Sequence, residues 1–497
     1  MLWTMGRICA VLASVVLAIG MLFFGSYVGP TNAIRKAQAQ TTVAKPNIIF
    51  VLTDDQSADT LNAMPALQND LVSQGVQFTN MISTYPLCCP GRATILRGQY
   101  PHNTRDFTND LPRGGWDTFA QLGEQNSTMA TWLDGAGYQT GLFGKYMNNY
   151  TSLDIPPGWD RWYAWNGPMM GWSALNDQGV QRSQIPSAAD RNVSTAALKY
   201  LGKHLAKPSP VFAWVSFGAE HEPYYHEQAD AGLFADAGVP RTPSFNEDNV
   251  SDKPAGVRDL PPLTDTDVAQ MDQDYANGLR SLMQVDRFIG DASELLRSKG
   301  EMDNTYFVFY TDNSNHFGQH RLPHGKLQPY EEDINFPLII RGPGIAQGVS
   351  NDELIGNHDI APTLARMGGA SFPAFVDGHS FLHLARDPAT TSARTAVLSE
   401  RKTSTLPTRR WEMLRMPETV YTRYESGEKE YYDLVTDPYQ LHNAFGVSDT
   451  AYPPPDPTIQ AHYEKRLDAL YACTGSEGPG SCRRAENAAP LPASPVP

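Results

Sequence analysis

Asn47-Ile48-Ile49-Phe50-Val51-Leu52-Thr53-Asp54-Asp55-Gln56 is the stretch whose reading decides the fold. Residues 47–52 form a continuous β-branched, apolar run, the mark of a strand buried on both faces of a parallel sheet. The run stops at Thr53, and two adjacent carboxylates follow it. The same design recurs at residues 138–143, 211–217 and 304–310. Those runs are followed by Lys145, by His221, and by Asp312 with Asn313. Helical periods lie at residues 61–75, 128–136, 192–204, 268–296 and 359–367, and a short extended segment at 338–341. Strands alternating with helices predict an α/β fold with a doubly wound, mostly parallel sheet. Ligands bind such sheets beyond the carboxyl ends of the strands, which is where the polar residues fall.

Other regions have a different texture. Residues 103–125 are rich in Asn, Asp, Gly and Arg and read as a surface loop or substrate rim. Residues 150–190 are dense in Trp, Gly and Pro and predict an irregular, packed insertion; residues 224–265 read as loop. After about residue 376, short alternating segments and a helix at 457–471 predict a small antiparallel sheet with one helix packed on it. The expected organisation is a targeting segment at 1–40, a catalytic domain at 45–375, a C-terminal subdomain at 376–483 and a disordered tail at 484–497.

The 497 residues carry a net charge of −15, which argues against nucleic acid and anionic membrane surfaces as main partners. In the first 40 residues, Arg7 precedes an uncharged apolar run at 8–24, and Ala37-Gln38-Ala39 offers a cleavage site. The run fits a cleaved signal or a retained membrane anchor, and either one puts the body of the chain outside the cytoplasm. Beyond that segment remain Cys88, Cys89, Cys473 and Cys482. Cys473 and Cys482 enclose a short Gly/Ser/Pro loop and predict a local disulfide. Cys88 and Cys89 are adjacent and read as one active residue and one buried thiol.

The cysteine pair opens Cys88-Cys89-Pro90-Gly91-Arg92-Ala93-Thr94-Ile95-Leu96-Arg97. Pro90 suits the first turn of a helix, where its missing N–H is not needed. Cys88 just before that helix would feel the positive end of the macrodipole, which activates a thiolate. Arg92, one turn on, reaches back over the same place, so the motif predicts chemistry on a tetrahedral oxyanion. Asp54 and Asp55 alone are more commonly a helix cap or an Asx turn than a metal site. Joined by Asp312 and Asn313 they form an all-oxygen set suited to Ca²⁺, with Mg²⁺ as the second choice. Lys145, His221 and Lys326 are, one by one, more typical of solvated loops. His316, His320 and His324 have helical spacing, but Gly318, Pro323 and Gly325 break a helix there, so they read as rim or substrate contacts.

These motifs together resemble the sulfatase family, whose signature core is Cys-x-Pro-x-Arg. The resemblance covers most of residues 45–483 and rests on NIIFVLTDDQ (47–56), CCPGRATILRGQYPHN (88–103), GLFGKYMN (141–148), His221-Glu222-Pro223, TDNSNHFGQHRLPHGK (311–326) and YYDLVTDPYQLHN (431–443). With its double cysteine, YPHN and GKY-x-N the chain resembles the N-acetylglucosamine-6-sulfatase type. The resemblance implies an alkaline-phosphatase-like fold and oxidation of Cys88 to Cα-formylglycine by a formylglycine-generating enzyme. It implies calcium held by Asp54, Asp55, the modified Cys88, Asp312 and Asn313. Arg92, Lys145, His221 and Lys326 would hold the sulfate and the bridging oxygen. The implied reaction is hydrolysis of a sulfate ester, of a sulfated sugar such as N-acetylglucosamine 6-sulfate, through a formylglycine hydrate and a covalent sulfo-enzyme. Gly91 stands where Ser or Ala is usual, and Met147 where many arylsulfatases have a histidine. A phosphatase or phosphonate monoester hydrolase on the same fold, and a non-catalytic binding protein with unmodified Cys88, are the competing expectations.

Overall fold

The run at residues 47–52 becomes Asn47–Asp54 (β1), which lies inside a ten-stranded sheet of the computed structural model. The structure describes residues 45–168, 170–404, 409–446 and 452–488. The targeting segment expected at residues 1–40, and residues 489–497 of the expected tail, lie outside them.

In chain order the other strands of the sheet are Val76–Phe78 (β2), Gln139–Gly144 (β3), Arg161–Trp165 (β4), Ala174–Asp177 (β5) and Val180–Ser183 (β6). Val211–Glu220 (β7), Thr305–Thr311 (β8), Leu338–Arg341 (β9) and Val349–Asn351 (β10) complete it. Their spatial order is β10-β2-β9-β8-β1-β7-β3-β4-β5-β6. The centre is parallel: β1 pairs with β7 and β8, and β3 with β7 and β4. Antiparallel pairs occur towards both margins, at β8–β9, β9–β2, β4–β5 and β5–β6. Ile48 to Leu52 of β1 are wholly buried, as the absence of polar alternation requires. The helices Ala189–His204 and Asp265–Lys299 pack on the sheet; the second starts at a Thr264–Asp267 capping box.

Two stretches differ from their sequence reading. Residues 150–190 are not irregular, since β4, β5 and β6 extend the sheet through them. Their aromatic rings lie edge to face, Tyr146 against Trp162 and Trp116 against Tyr150, and this packing replaces the aliphatic pattern by which strands are usually read. Within 103–125, Gly115–Gln121 is a helix held by Trp116 and Phe119, an i, i+3 pair too short to stand out among polar residues.

The C-terminal region forms a separate antiparallel sheet of Val397–Arg401 (β11), Trp411–Arg415 (β12), Thr419–Tyr424 (β13) and Lys429–Asp433 (β14), with the helix Pro457–Tyr471 against it. Cys473 and Cys482 are disulfide-bonded. The tail expected to be disordered from residue 484 is corrected at its start, because Cys482–Glu486 is a helix and Glu486 is fully buried. Its carboxylate accepts from His358 Nε2 (2.8 Å) and Arg394 Nη2 (2.9 Å), and Tyr100 donates to it as well. A composition rich in Ala and Pro hides one buried charge whose partners are distant in sequence.

Burial alone would push the Glu486 carboxyl up, but Arg394 and His358 outweigh it and hold it well below the usual range. A folded pKa below the unfolded value of about 4.3 gives stability that is present above that pH and lost as pH falls through the folded value. Glu486→Ala should cost about 3–5 kcal/mol at pH 7 in urea melts, because it leaves Arg394 partly unpaired in the interior. Glu486→Gln should flatten the loss of stability below pH 4; an unchanged acid limb would refute the assignment.

Candidate active site at the strand ends

Four strand ends and one helix start converge. β1 delivers Asp54 and Asp55, β8 is followed by Asp312 and Asn313, and His221 follows β7. Lys145 follows Gly144, the last residue of β3. Gly144 has φ +103°, and a Cβ there would lie 1.8 Å from the Ser216 carbonyl oxygen. Only glycine lets β3 come this close to β7, and Lys145 N–H then donates to that same carbonyl (3.1 Å).

The helix Cys88–Arg97 begins one residue earlier than the sequence reading, so Cys88 is its first residue. Leu87 is the extended N-cap and has no side-chain cap; Asn109 Oδ1, from a remote loop, accepts from Cys89 N–H (3.0 Å). A Cβ at Gly91 would sit 2.5 Å from the Asp312 carbonyl oxygen. The glycine therefore lets the helix lie flush on the end of β8.

Arg92 is wholly buried and binds across the site. Its Nε donates to Asp312 Oδ2 (2.7 Å), Nη2 to Asp54 Oδ2 (3.3 Å), and Nη1 to the Lys145 carbonyl and Ser216 Oγ (2.8 Å each). Lys145 Nζ contacts Asp54 Oδ2 and lies 3.9 Å from Asp312. Lys326 Nζ pairs with Asp55 Oδ1 and is 3.1 Å from Cys88 Sγ. His221 Nε2 lies 3.4 Å from Asp55 Oδ2, and its Nδ1 is 2.7 Å from the Glu222 carbonyl. Asn313 donates to Asp55 Oδ1 (2.6 Å) through Nδ2.

Charge balance decides the ionisation of these groups. Burial pushes the Asp54 carboxyl up, but Lys145, Arg92 and His221 outweigh it and hold it below the usual range. Burial acts likewise on Asp55, and Lys326 with His221 brings it down. Burial lowers Lys326, while Asp55, Cys88 and Asp54 raise it well above the ordinary lysine value. The Cys88 thiol is pushed up to about 11 by burial, with Lys145 and Lys326 offsetting part of that rise. This corrects the expectation of an activated thiolate: desolvation exceeds the pull of the helix dipole, so the group is a protonated thiol.

The residues fit a hard divalent cation. Asp54, Asp55 and Asp312 gather three buried carboxylates, and Asn313 Oδ1 is buried without a hydrogen-bond partner among the described residues. Asp54, Asp55, Cys88 and His221 each present an atom within 4.8 Å of the others. Oxygen donors in such density, with one amide oxygen to spare, suit Ca²⁺ or Mg²⁺.

The structure brings every one of the nine candidate site residues to this place. It does not bring two of the histidines. His316 is buried on Asp333 (2.7 Å) and His320 on Glu247 (2.6 Å), so both are interior residues and neither is a rim contact. Their carboxylate partners lie 17 and 73 residues away on other segments, which hides the pairing from local spacing. His324, half-buried and stacked on Phe317, lies beside the site, and burial pushes it down to about 4. Sequence reading missed Ser216 and Asn109. Ser216 had a signal, as the lone polar residue inside an apolar strand; Asn109 had none.

Comparison with known proteins agrees in several ways. The sulfatase family model matches residues 46–370, and the model for the C-terminal part of N-sulphoglucosamine sulphohydrolase matches residues 318–470. An extracellular sulfatase SULF-1 homolog of Drosophila melanogaster is 35% identical over 68% of this chain, which spans only 31% of that protein. N-acetylglucosamine-6-sulfatase of Homo sapiens is 30% identical over 72% of this chain and 67% of its own length. A protein solved in complex with its substrate, D-glucosamine-2-N,6-O-disulfate, has the same fold at a TM-score of 0.70, with 22% identity over 86% of this chain and 97% of its own.

Gly144→Ala should lower stability by roughly 2–4 kcal/mol, since the added methyl meets strand backbone at a positive φ. It should displace Lys145 with it. A thermal melt within the error of the wild type would show that the close approach of β3 and β7 is not required.

Proposed function

We propose, on the premise that the chain belongs to the sulfatase family, that it hydrolyses the sulfate ester of a sugar. The observation that carries this reading is Cys88 at the start of a buried helix, 3.1 Å from Lys326 and beside three buried carboxylates. A thiol held at about 11 is a poor nucleophile at neutral pH, so the site is better suited to a precursor than to thiolate catalysis. Oxidised to formylglycine by a dedicated enzyme, residue 88 supplies a hydrated aldehyde as the oxygen nucleophile. Asp54, Asp55, Asp312 and Asn313 would hold the cation, with residue 88 beside them. When bound, the cation polarises oxygen and neutralises charge at the reacting centre.

The remaining roles follow from geometry. Arg92 has its donors engaged on Asp54, Asp312, Lys145 and Ser216, so it orients the carboxylates and screens them. Lys145 and Lys326 hold positive charge where an anionic group must approach three carboxylates. Lys326 Nζ, beside position 88, keeps its proton there. His221, like Lys326, is partly open, whereas Lys145 is buried. Nδ1–H donates to the Glu222 carbonyl, so Nε2 faces the site, and in the doubly protonated ring it is the Nε2 proton that passes to the departing sugar oxygen, leaving the neutral Nδ1–H tautomer. The human relative's name and the substrate bound in the solved neighbour support a sulfated glucosamine as substrate. Export is supported by the Cys473–Cys482 disulfide and by the apolar run at residues 8–24. Among the described residues no helix is long and apolar enough to cross a membrane.

Mass spectrometry of the peptide containing Cys88, from the native host, should show a residue lighter by the difference between CH₂SH and CHO. Thiol alone would contradict the mechanism. The wild type should turn over an aryl sulfate faster than the matched aryl phosphate; the reverse preference would make the protein a phosphatase or phosphonate hydrolase. Lys326→Ala should lower kcat by about 10²–10³-fold. Chelation should lower the midpoint of thermal unfolding, and added Ca²⁺ should restore it.

A further inference from the structure

His324 differs from the two histidines that precede it in its loop. His316 and His320 are held by Asp333 and Glu247, whereas His324 has no carboxylate partner among the described residues. Both of its ring nitrogens meet uncharged side chains instead. Nε2 lies 3.2 Å from Asn315 Nδ2, and Nδ1 lies 3.4 Å from the Tyr224 hydroxyl. The ring stacks on buried Phe317, with centroids 4.1 Å apart and planes at 10°. A stacked histidine is commonly no more than loop packing.

Here the contacts have a direction. The Ser57 hydroxyl donates to Asn315 Oδ1, which turns the amide nitrogen toward His324. That nitrogen can only donate, so Nε2 accepts. A neutral ring then carries its proton on Nδ1 and donates it to the Tyr224 oxygen. Burial keeps the ring neutral, aided by His316, Lys326 and His221 against the pull of Asp55. A second proton would set another cation beside Lys326 and His221.

Every member of this series adjoins a residue of the site. Ser57 is two residues after Asp55, Asn315 two after Asn313, His324 two before Lys326 and Tyr224 three after His221. The Tyr224 N–H donates to the His221 carbonyl (3.2 Å). His316 and Gly325 exchange backbone hydrogen bonds (2.9 and 3.1 Å) that close the loop carrying His324. The His324–Tyr224 contact thus joins, side chain to side chain, the loop of His221 to that of Lys326. Those two groups share one carboxylate, Lys326 on Asp55 Oδ1 and His221 Nε2 3.4 Å from Oδ2. A slip of one loop against the other would change which of them meets the departing oxygen.

We infer that His324 is a positioning residue, whose ring holds the His221 loop against Lys326 so that the proton reaches the departing oxygen. The inference rests on the proposed sulfate-ester activity and adds how its proton donor is kept in register. Misplacement by about 1 Å is enough to cost on the order of 10²-fold in rate. The cost falls on esters whose departing oxygen needs the proton.

The test measures kcat and KM of the full chain carrying formylglycine on two esters. One is 4-nitrophenyl sulfate, whose phenolate leaves readily; the other is phenyl sulfate, whose more basic phenolate needs protonation. The variants are His324→Phe, which keeps a stacking ring without its nitrogens, and Tyr224→Phe, which removes one hydroxyl. Each should lower kcat on phenyl sulfate about tenfold and on 4-nitrophenyl sulfate by less than about threefold, with KM little changed. The double variant should lose no more than the worse single one, because both break the same contact. Equal loss on the two esters, loss on neither, or losses that multiply in the double variant overturn the positioning role. A wild type that hydrolyses neither ester overturns the sulfate-ester reading itself.

Discussion

The buried guanidinium of Arg92 is the contact on which the site depends. It joins Asp54 at the end of β1 to Asp312 at the end of β8, and its third nitrogen binds Ser216 in β7 and the Lys145 carbonyl after β3. Four strand ends are thereby tied to one helix. Three buried carboxylates in one place would repel one another and carry a large desolvation cost. Arg92, Lys145 and Lys326 offset this, and their net effect is seen in Asp54 and Asp55, which stay ionised although both are buried. A cluster held anionic in this way is prepared for a cation.

The same balance explains why the cysteine is not the nucleophile that its position promises. A helix N-terminus and two lysines favour a thiolate at Cys88, yet burial and the carboxylates dominate. A site built around carboxylates for a cation is a poor one for a second sulfur anion. The proposed oxidation of Cys88 would resolve the conflict by placing oxygen at that position.

The C-terminal sheet takes part in the site. Trp411 and Arg401 bind the carbonyl next to Lys326, and Glu486 anchors the last described helix to Arg394 and His358 in the interior. The chain end, stapled by one disulfide, thus stabilises a wall of the cleft.

Much of this was legible from local pattern. Apolar runs closed by polar residues marked β1, β3, β7 and β8, because a strand buried on both faces admits no alternation. The motif at Cys88 and the carboxylates at Asp54 and Asp312 announced oxyanion and metal chemistry, because those residue types carry it wherever they converge. The sequence by itself therefore determined the central strands, the order of the elements and the residues available for chemistry. Tertiary structure alone decided the ionisation of Cys88, the buried pairings of His316, His320 and Glu486, the cap from Asn109 and the strands within residues 150–190. Each of these depends on desolvation or on a partner scores of residues away or on another element. No local spacing encodes how much water a fold removes or which distant charge it brings near.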